Sequence, residues 1–139
     1  MPNILIIEDD AAFCKMLQKF LTKHNFNVAI SFTAPEAKTK LKENSFDLVL
    51  SDLRLPDYDG IQLLREIKAL NAATPVILMT GYAEVGTAVK AMKEGAFDYI
   101  AKPFTPDDIV AVIQKALQNK ASTSNNEEDK KGRAKINAL

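Results

Sequence analysis

Short apolar runs alternate with longer segments of helical periodicity along most of the chain. The runs are NILII, NVAI, FDLVLS, PVILMT and FDYIA. In the segment that follows each run, apolar residues recur every three or four positions, as in helices with one buried face. Strands that alternate with helices lie parallel in one sheet, with right-handed crossovers that cover both faces. The pattern therefore predicts an α/β domain with a five-stranded parallel sheet.

The hydrophobicity of each run predicts its place in the sheet. The third, fourth and fifth runs are almost continuously apolar, as strands buried on both faces should be, whereas NVAI is short and suits an edge. We expect a flavodoxin-like, doubly wound (βα)5 sheet of order 2-1-3-4-5, with its switch point between the first and third strands. The apolar face of the first helix, which should cover the sheet, is predicted to consist of Phe13, Met16, Leu17, Phe20 and Leu21.

Four of the predicted strands end in polar side chains. The first ends at Glu8 and Asp9, the third at Asp52, the fourth at Thr80, and the fifth runs into Lys102. Ligands of open parallel sheets bind outside the carboxyl ends of the strands, so these groups should form one site. Each has an ordinary alternative, such as a strand terminus for Thr80 or a solvated charge for Lys102. Their conjunction at four strand ends favours a site that handles a phosphoryl group with a divalent metal.

Crowded carboxylates need a cation to hold them together, because each pair repels by roughly 4 kcal/mol at an effective dielectric constant of 20. Mg²⁺ takes oxygen ligands, which Asp9, Asp52 and a backbone carbonyl just beyond Asp52 can supply. Lys102 can pair with an acid or a phosphate oxygen, and Thr80 can donate to another. The sequence contains no evident catalytic triad or glycine-rich phosphate loop, and the single histidine, His24, suits a helix end. Asp52 is therefore the candidate nucleophile, since aspartate can form an acyl phosphate.

Length and charge limit the other possibilities. The 139 residues suffice for one core, which we place at residues 1–119, and residues 120–139 are polar enough to be a flexible tail or an interdomain linker. Equal numbers of basic and acidic residues, 18 of each, argue against direct binding of nucleic acid or a membrane surface. Cys14 is expected to be a buried helix residue. The short apolar run at the start, with no basic leader, makes the cytoplasm the expected location.

Residues 1–119 resemble the receiver domains of bacterial two-component response regulators. The resemblance rests on IIEDD, SDLRLPDYDG, MTGYAE and DYIAKPF, in this order and at suitable spacing. It implies that Glu8 and Asp9 are the acidic pair for Mg²⁺, with Mn²⁺ as a possible substitute, that Asp52 accepts the phosphoryl group and that the carbonyl of Arg54 is a metal ligand. It also implies that Thr80 and Lys102 stabilise the phosphate, that Thr80 and Tyr99 form the switch, that Arg54, Tyr82 and Pro103 flank the site, and that the Lys102–Pro103 bond is cis.

By the same resemblance, a sensor histidine kinase or a phosphotransfer protein supplies the phosphoryl group in a Mg²⁺-dependent step. Phosphorylation then changes the surface of the fourth helix, fifth strand and fifth helix, which controls a partner, a homodimer or an output domain. The chain is not expected to be an enzyme beyond assisting its own phosphorylation and a slow autodephosphorylation. The run GTAVKAMKEGAFDYIAKPF is most similar to receivers of enhancer-binding transcription activators. Either an excised receiver or a single-domain regulator fits the sequence. For Tyr99, simple packing in the core is the alternative to a role in the switch.

Two other functions are compatible with this sheet. A small Mg²⁺-dependent phosphatase would use Asp52 as a transient nucleophile, but such enzymes usually need an acid two residues later, where this chain has Arg54. A flavin-binding module would need glycines and amides in the first loop, and that loop is acidic here. Both are less favoured than the receiver.

Overall fold

The computed structural model describes residues 1–81 and 85–125. The strands of the main sheet are β1 (Asn3–Ile7), β2 (Asn27–Ser31), β3 (Leu48–Asp52), β4 (Val76–Thr80) and β5 (Asp98–Ala101). The helices are α1 (Ala11–Lys23), α2 (Ala34–Glu43), α3 (Gly60–Leu70), α4 (Val85–Lys93) and α5 (Pro106–Asn125). All four strand pairings in this sheet are parallel, and the order is β2-β1-β3-β4-β5. The predicted fold and strand order are confirmed.

The sheet separates two hydrophobic clusters. One contains Leu5, Val49 and Leu78 with the buried faces of α2, α3 and α4. The other contains Ile4, Leu50 and Ile77 with the buried faces of α1 and α5. Neighbouring residues of one strand thus belong to opposite clusters, as the alternation of side chains along a strand requires. Helices on both faces leave the carboxyl ends of the strands as the open edge of the sheet.

Two of the predicted burial patterns need correction. The fifth strand was expected to be buried on both faces, but all four residues of β5 are only half-buried because β5 lies at an edge of the sheet. Met16 was expected on the buried face of α1, yet 47% of it is exposed. The fully buried residues of α1 are Cys14, Leu17 and Leu21. Met16 precedes Leu17 by one position, about 100° around the helix, and this turns it toward solvent.

A short antiparallel ribbon lies between β3 and α3 and was not predicted from the sequence. Residues Arg54–Leu55 pair with Tyr58–Asp59, with Arg54 opposite Asp59 and Leu55 opposite Tyr58. We call this segment the 54–59 ribbon. It connects the end of the central strand to the first turn of α3.

Local capping fixes where the helices begin. The side chains of Asp10, Thr33 and Asp59 accept hydrogen bonds from backbone N–H groups in the first turns of α1, α2 and α3, as expected for N-caps. At its other end, α5 continues to Asn125, so it covers the first six residues of the segment expected to be a tail or linker. The domain boundary near residue 119 stays a prediction. No helix in the described ranges is both long and apolar enough to cross a membrane.

Candidate functional site

Three carboxylates meet at the carboxyl ends of β1 and β3. Glu8 and Asp9 follow β1, and Asp52 is the last residue of β3, the strand that pairs with β1. One carboxylate oxygen from each of the three lies within 4.8 Å of the others. Glu8 and Asp52 are buried, at 1% and 8% exposure, and Asp9 is exposed. Hard oxygen ligands at this spacing, with one side open to solvent, fit a divalent cation such as Mg²⁺.

The electrostatics of the three acids show how closely they are held. A hydrogen bond between the Asp9 and Glu8 carboxyl groups raises the pKa of Asp9, and some loss of contact with water adds to the effect. The other oxygen of Glu8, Oε2, accepts a hydrogen bond from the backbone N–H of Asp10 at 3.2 Å. A neighbouring carboxyl group disfavours the charged form of Asp9 in this way. A positive charge placed among the three acids would therefore stabilise the cluster.

Lys102 provides a positive charge inside the cluster. It follows β5, and its Nζ donates a hydrogen bond to Glu8 Oε1 and lies 3.5 Å from Asp52 Oδ2. Burial alone would lower the pKa of Lys102, but the hydrogen bond to Glu8 and the charge of Asp52 outweigh it and raise the pKa. The ammonium therefore stays protonated and bridges two of the acids, as predicted from the strand ends.

The Lys102 side chain also contacts an aromatic ring, that of Phe13, which the sequence did not predict. Its Nζ lies 4.7 Å from the centre of the Phe13 ring, a cation–π distance, and Phe13 packs edge-on against Phe104 at 5.8 Å. Phe13 was expected to be a core residue of α1 only. It and Lys102 are 89 positions apart, so no local periodicity signals the contact.

The chain is tightly constrained where it leaves β3. The Asp52 side chain accepts a hydrogen bond from the backbone N–H of Arg54 at 3.1 Å, and the N–H of Leu53 donates to Met79 O at 2.9 Å. A Cβ on Gly60 would lie 2.1 Å from the carbonyl oxygen of Leu53, so the first residue of α3 sits directly on this backbone. Arg54, the expected carbonyl ligand, is thus anchored to the candidate nucleophile.

Thr80 and Tyr99 are brought to the same side of the sheet by the pairing of β4 with β5. Thr80 is 1% exposed, and its hydroxyl donates to the carbonyl of Gly81 at 3.1 Å rather than to an acid. Its own carbonyl accepts from the backbone N–H of Lys102 at 2.6 Å. Tyr99 is half-buried against the cluster that faces α2, α3 and α4. The two residues therefore lie on the face of the sheet that packs against α2, α3 and α4.

Four predicted positions remain. The Lys102–Pro103 peptide bond is cis, as the resemblance implied. Tyr82 lies outside the described residues. Cys14 is buried, and burial raises the pKa of its thiol to about 12, which agrees with a structural role. His24 caps the end of α1 with its ring nitrogen Nδ1 3.1 Å from Phe20 O.

Several known proteins resemble this chain. The chain is 46% identical over 115 residues to the transcriptional regulatory protein ZraR of Escherichia coli, covering 83% of the chain and 26% of ZraR. It is 40% identical over 116 residues to the transcriptional regulatory protein FixJ of Bradyrhizobium diazoefficiens, covering 84% of the chain and 57% of FixJ. The chain thus spans about a quarter to somewhat over half of these relatives.

Solved structures agree with the fold. A response regulator receiver domain from Clostridium thermocellum superposes with a TM-score of 0.84 at 32% identity, over 87% of this chain and 98% of that one. NtrX from Brucella abortus superposes with a TM-score of 0.86 at 28% identity, over 94% of this chain and 29% of NtrX. The profile of the response regulator receiver domain matches residues 4–114. With the parallel sheet and the acids at its carboxyl edge, this match shows that the chain belongs to the receiver domain family of response regulators, as its motifs predicted.

Proposed function

We propose that this receiver is a phosphorylation-dependent signalling switch in which Asp52 accepts a phosphoryl group. The donor is the phosphohistidine of a sensor histidine kinase or phosphotransfer protein. The observation that carries the proposal is the meeting of three carboxylates and Lys102 at the carboxyl ends of β1, β3 and β5. An acidic pocket for Mg²⁺ is a property of receivers in general, and this cluster has the composition of such a pocket.

The residues that would hold Mg²⁺ are Glu8, Asp9, Asp52 and the backbone carbonyl of Arg54, with Mn²⁺ as a substitute. A bound divalent cation would neutralise charge on the carboxylates and on the phosphoryl oxygens. Glu8 has a longer side chain than the two aspartates, and this side chain already pairs with Lys102. We expect Glu8 to reach the metal through water, since Mg²⁺ keeps several waters when it binds proteins.

In the transfer step, a carboxylate oxygen of Asp52 attacks phosphorus while the bond from phosphorus to the donor histidine nitrogen breaks. The products are an aspartyl phosphate and a free histidine on the donor. Lys102 is close enough to Asp52 to move its ammonium from Glu8 to a phosphoryl oxygen, and Thr80 can donate its hydroxyl to another. Stabilisation of developing charge by such fixed groups is the main source of catalysis in phosphoryl transfer.

The phosphorylated site then acts on the surface formed by α4, β5 and α5. When Thr80 turns from the Gly81 carbonyl toward the phosphoryl group, it leaves space for Tyr99, which repacks α4 against the sheet. The output is a linked domain, a partner or a homodimer, and transcriptional control is supported by relatives that are longer transcriptional regulatory proteins. We place the domain in the cytoplasm and expect slow autodephosphorylation. The phosphatase alternative is less favoured, because it would need an acid two residues after Asp52, where this chain has Arg54.

The central test is phosphorylation by a small donor. We expect the wild-type domain to gain one phosphoryl group, detected by intact-protein mass spectrometry, after incubation with acetyl phosphate and Mg²⁺. Asp52→Asn should gain none, because an amide is not a nucleophile of this kind. The proposal fails if the wild type gains no adduct, or if Asp52→Asn gains it equally well.

A further inference from the structure

Three side chains from separate elements form a polar network beside the 54–59 ribbon. Nζ of Lys38, on α2, donates to the hydroxyl of Tyr58 at 2.9 Å and lies 3.3 Å from Glu66 Oε1, on α3. The Tyr58 hydroxyl in turn donates to Glu66 Oε1. The Tyr58 hydroxyl therefore donates its one proton to Glu66 and accepts a hydrogen bond from Lys38. We call Lys38, Tyr58 and Glu66 the ribbon network.

The charges and packing of the ribbon network favour one fixed position for Tyr58. The Lys38 and Glu66 side chains are each 29% exposed, so water competes only partly for their bonds. The hydrogen bond from Tyr58 lowers the pKa of Glu66, and the bond to Tyr58 raises the pKa of Lys38, so both ends stay ionised. Lys38 Nζ also lies 4.9 Å from the centre of the Tyr58 ring. Ring and hydroxyl are thus both restrained by α2 and α3.

The same ribbon carries the backbone that borders the acidic site. Tyr58 is the ribbon partner of Leu55, and the next pair joins Asp59 to Arg54. Asp59 also caps α3 through bonds to the N–H groups of Ile61 and Gln62. The 54–59 ribbon is therefore held at its Arg54–Asp59 end by Asp52 and α3. At its Leu55–Tyr58 end it is held by the ribbon network. A two-residue ribbon alone is marginal in water, so such side-chain bonds decide how rigid it is.

We propose that the ribbon network is a positioning device for the metal site, and that Tyr58 is its central positioning residue. By fixing the 54–59 ribbon against α2 and α3, it holds the Arg54 carbonyl where a divalent cation beside Asp9 and Asp52 can use it. This inference rests on the proposed function and deepens it. A purely hydrophobic role would need only the ring of Tyr58, whereas positioning needs its hydroxyl.

The test separates the hydroxyl from the ring. Tyr58→Phe keeps the ring, and we expect it to weaken Mg²⁺ binding by about 3- to 10-fold in an NMR titration of the unphosphorylated domain. Substituting a residue that hydrogen-bonds directly to a metal ligand typically weakens metal affinity by about 10- to 100-fold. We expect a smaller effect here because the ribbon network acts on the Arg54 carbonyl through the backbone. Glu66→Gln should act in the same direction. At saturating Mg²⁺, the rate of phosphorylation by acetyl phosphate should return to near that of the wild type.

The matched control is Gln18→Ala, which removes another side-chain bond between two elements, Gln18 Nε2 to Val28 O at 3.3 Å. It should leave Mg²⁺ binding within twofold of the wild type. The inference is overturned if Tyr58→Phe also stays within twofold, if Gln18→Ala weakens Mg²⁺ binding as much, or if the wild type binds no Mg²⁺. If Tyr58→Phe weakens Mg²⁺ binding but the wild type gains no phosphoryl group, the positioning role stands and the proposed function fails.

Discussion

Gly60 is required by space rather than by backbone conformation. A Cβ at this position would lie 2.1 Å from the carbonyl oxygen of Leu53 and 2.8 Å from its Cα. Backbone atoms cannot swing aside as a flexible side chain can, so the segment after β3 must shift. We expect Gly60→Ala to lower the free energy of unfolding by about 1–3 kcal/mol, the usual range for overpacking. Urea denaturation monitored by circular dichroism measures this change.

The matched control is Gly86→Ala in α4. Among the described residues, no atom comes within 4 Å of a Cβ at Gly86, apart from its two chain neighbours and the nearby backbone of α4 itself. Alanine is the better helix former by about 1 kcal/mol, so this variant should be unchanged or slightly more stable. Equal destabilisation by both substitutions would show that the close approach to Leu53 is not what makes Gly60 necessary.

At the scale of elements, an ion pair joins α3 to the end of α4. Arg65 donates from Nε and Nη2 to the two carboxylate oxygens of Glu94, each at 3.0 Å. The bond to Arg65 lowers the pKa of Glu94 below its ordinary value of 4.5. The stability that the Arg65–Glu94 pair contributes is therefore complete above about pH 4.5. It is lost as the pH falls through the lowered pKa of Glu94. The pair restrains the end of the helix that the proposed switch must move.

We predict that Glu94→Gln increases amide hydrogen exchange in the last turn of α4 by no more than a few-fold, because an exposed pair is weak. Acidification of the wild type should reduce the protection factors of the same amides, and 1 M salt should do so at neutral pH. Glu43→Gln, at the end of α2, is the control and should leave α4 unchanged. An effect of Glu94→Gln that is equal in all helices would contradict a local restraint.

The elements that the sequence predicts well are those whose signals are local. Each strand of the main sheet is an apolar run, and each site residue at a strand end follows such a run directly. The position of Glu8, Asp9, Asp52 and Lys102 was therefore predictable from the parallel sheet alone. Their common edge follows from topology, and the structure brings them together as expected.

What the sequence does not predict depends on contacts between distant segments. The 54–59 ribbon has two residues in each strand, which is too short for any periodicity to appear. Lys38 and Glu66 are 28 positions apart and look like ordinary solvated charges. Met16 fits a three- and four-residue apolar spacing, but the helix uses the face of Cys14 and Leu17 instead. Tertiary packing selects one face where the sequence allows two.

For the molecule as a whole, the proposed switch requires a definite amount of free energy. Moving a two-state surface from 1:99 to 99:1 takes about 5.5 kcal/mol of preference for one state. Hydrogen bonds to charged groups contribute roughly 1.5–3 kcal/mol each. New bonds from Lys102, Thr80 and backbone N–H groups to a phosphoryl group can therefore supply enough. The wild-type pairing of Lys102 with Glu8 is what these bonds would have to replace.

The whole-molecule consequence that we predict is dimerisation on phosphorylation, through the surface of α4, β5 and α5. On α4, Val89 is 48% exposed and Met92 is 37% exposed, while Ala88 and Ala91 are buried. Repacking of α4 would change how these apolar side chains are presented, and their burial would stabilise a dimer by about 25 cal/mol for each Å² removed from water. Sedimentation velocity with beryllofluoride and Mg²⁺ should show a dimer that is absent without them.

A double variant, Val89→Lys with Met92→Lys, should sediment as a monomer under both conditions, because like charges on both copies repel and the apolar contact is lost. It should still take a phosphoryl group from acetyl phosphate, since neither residue lies at the acidic site. Met16→Lys is the matched control, because Met16 is an exposed methionine on α1, at 47%, and its substitution should not affect dimerisation. If wild-type profiles are identical with and without beryllofluoride, or if Met16→Lys abolishes the dimer while the α4 variant keeps it, this surface is not the dimer interface.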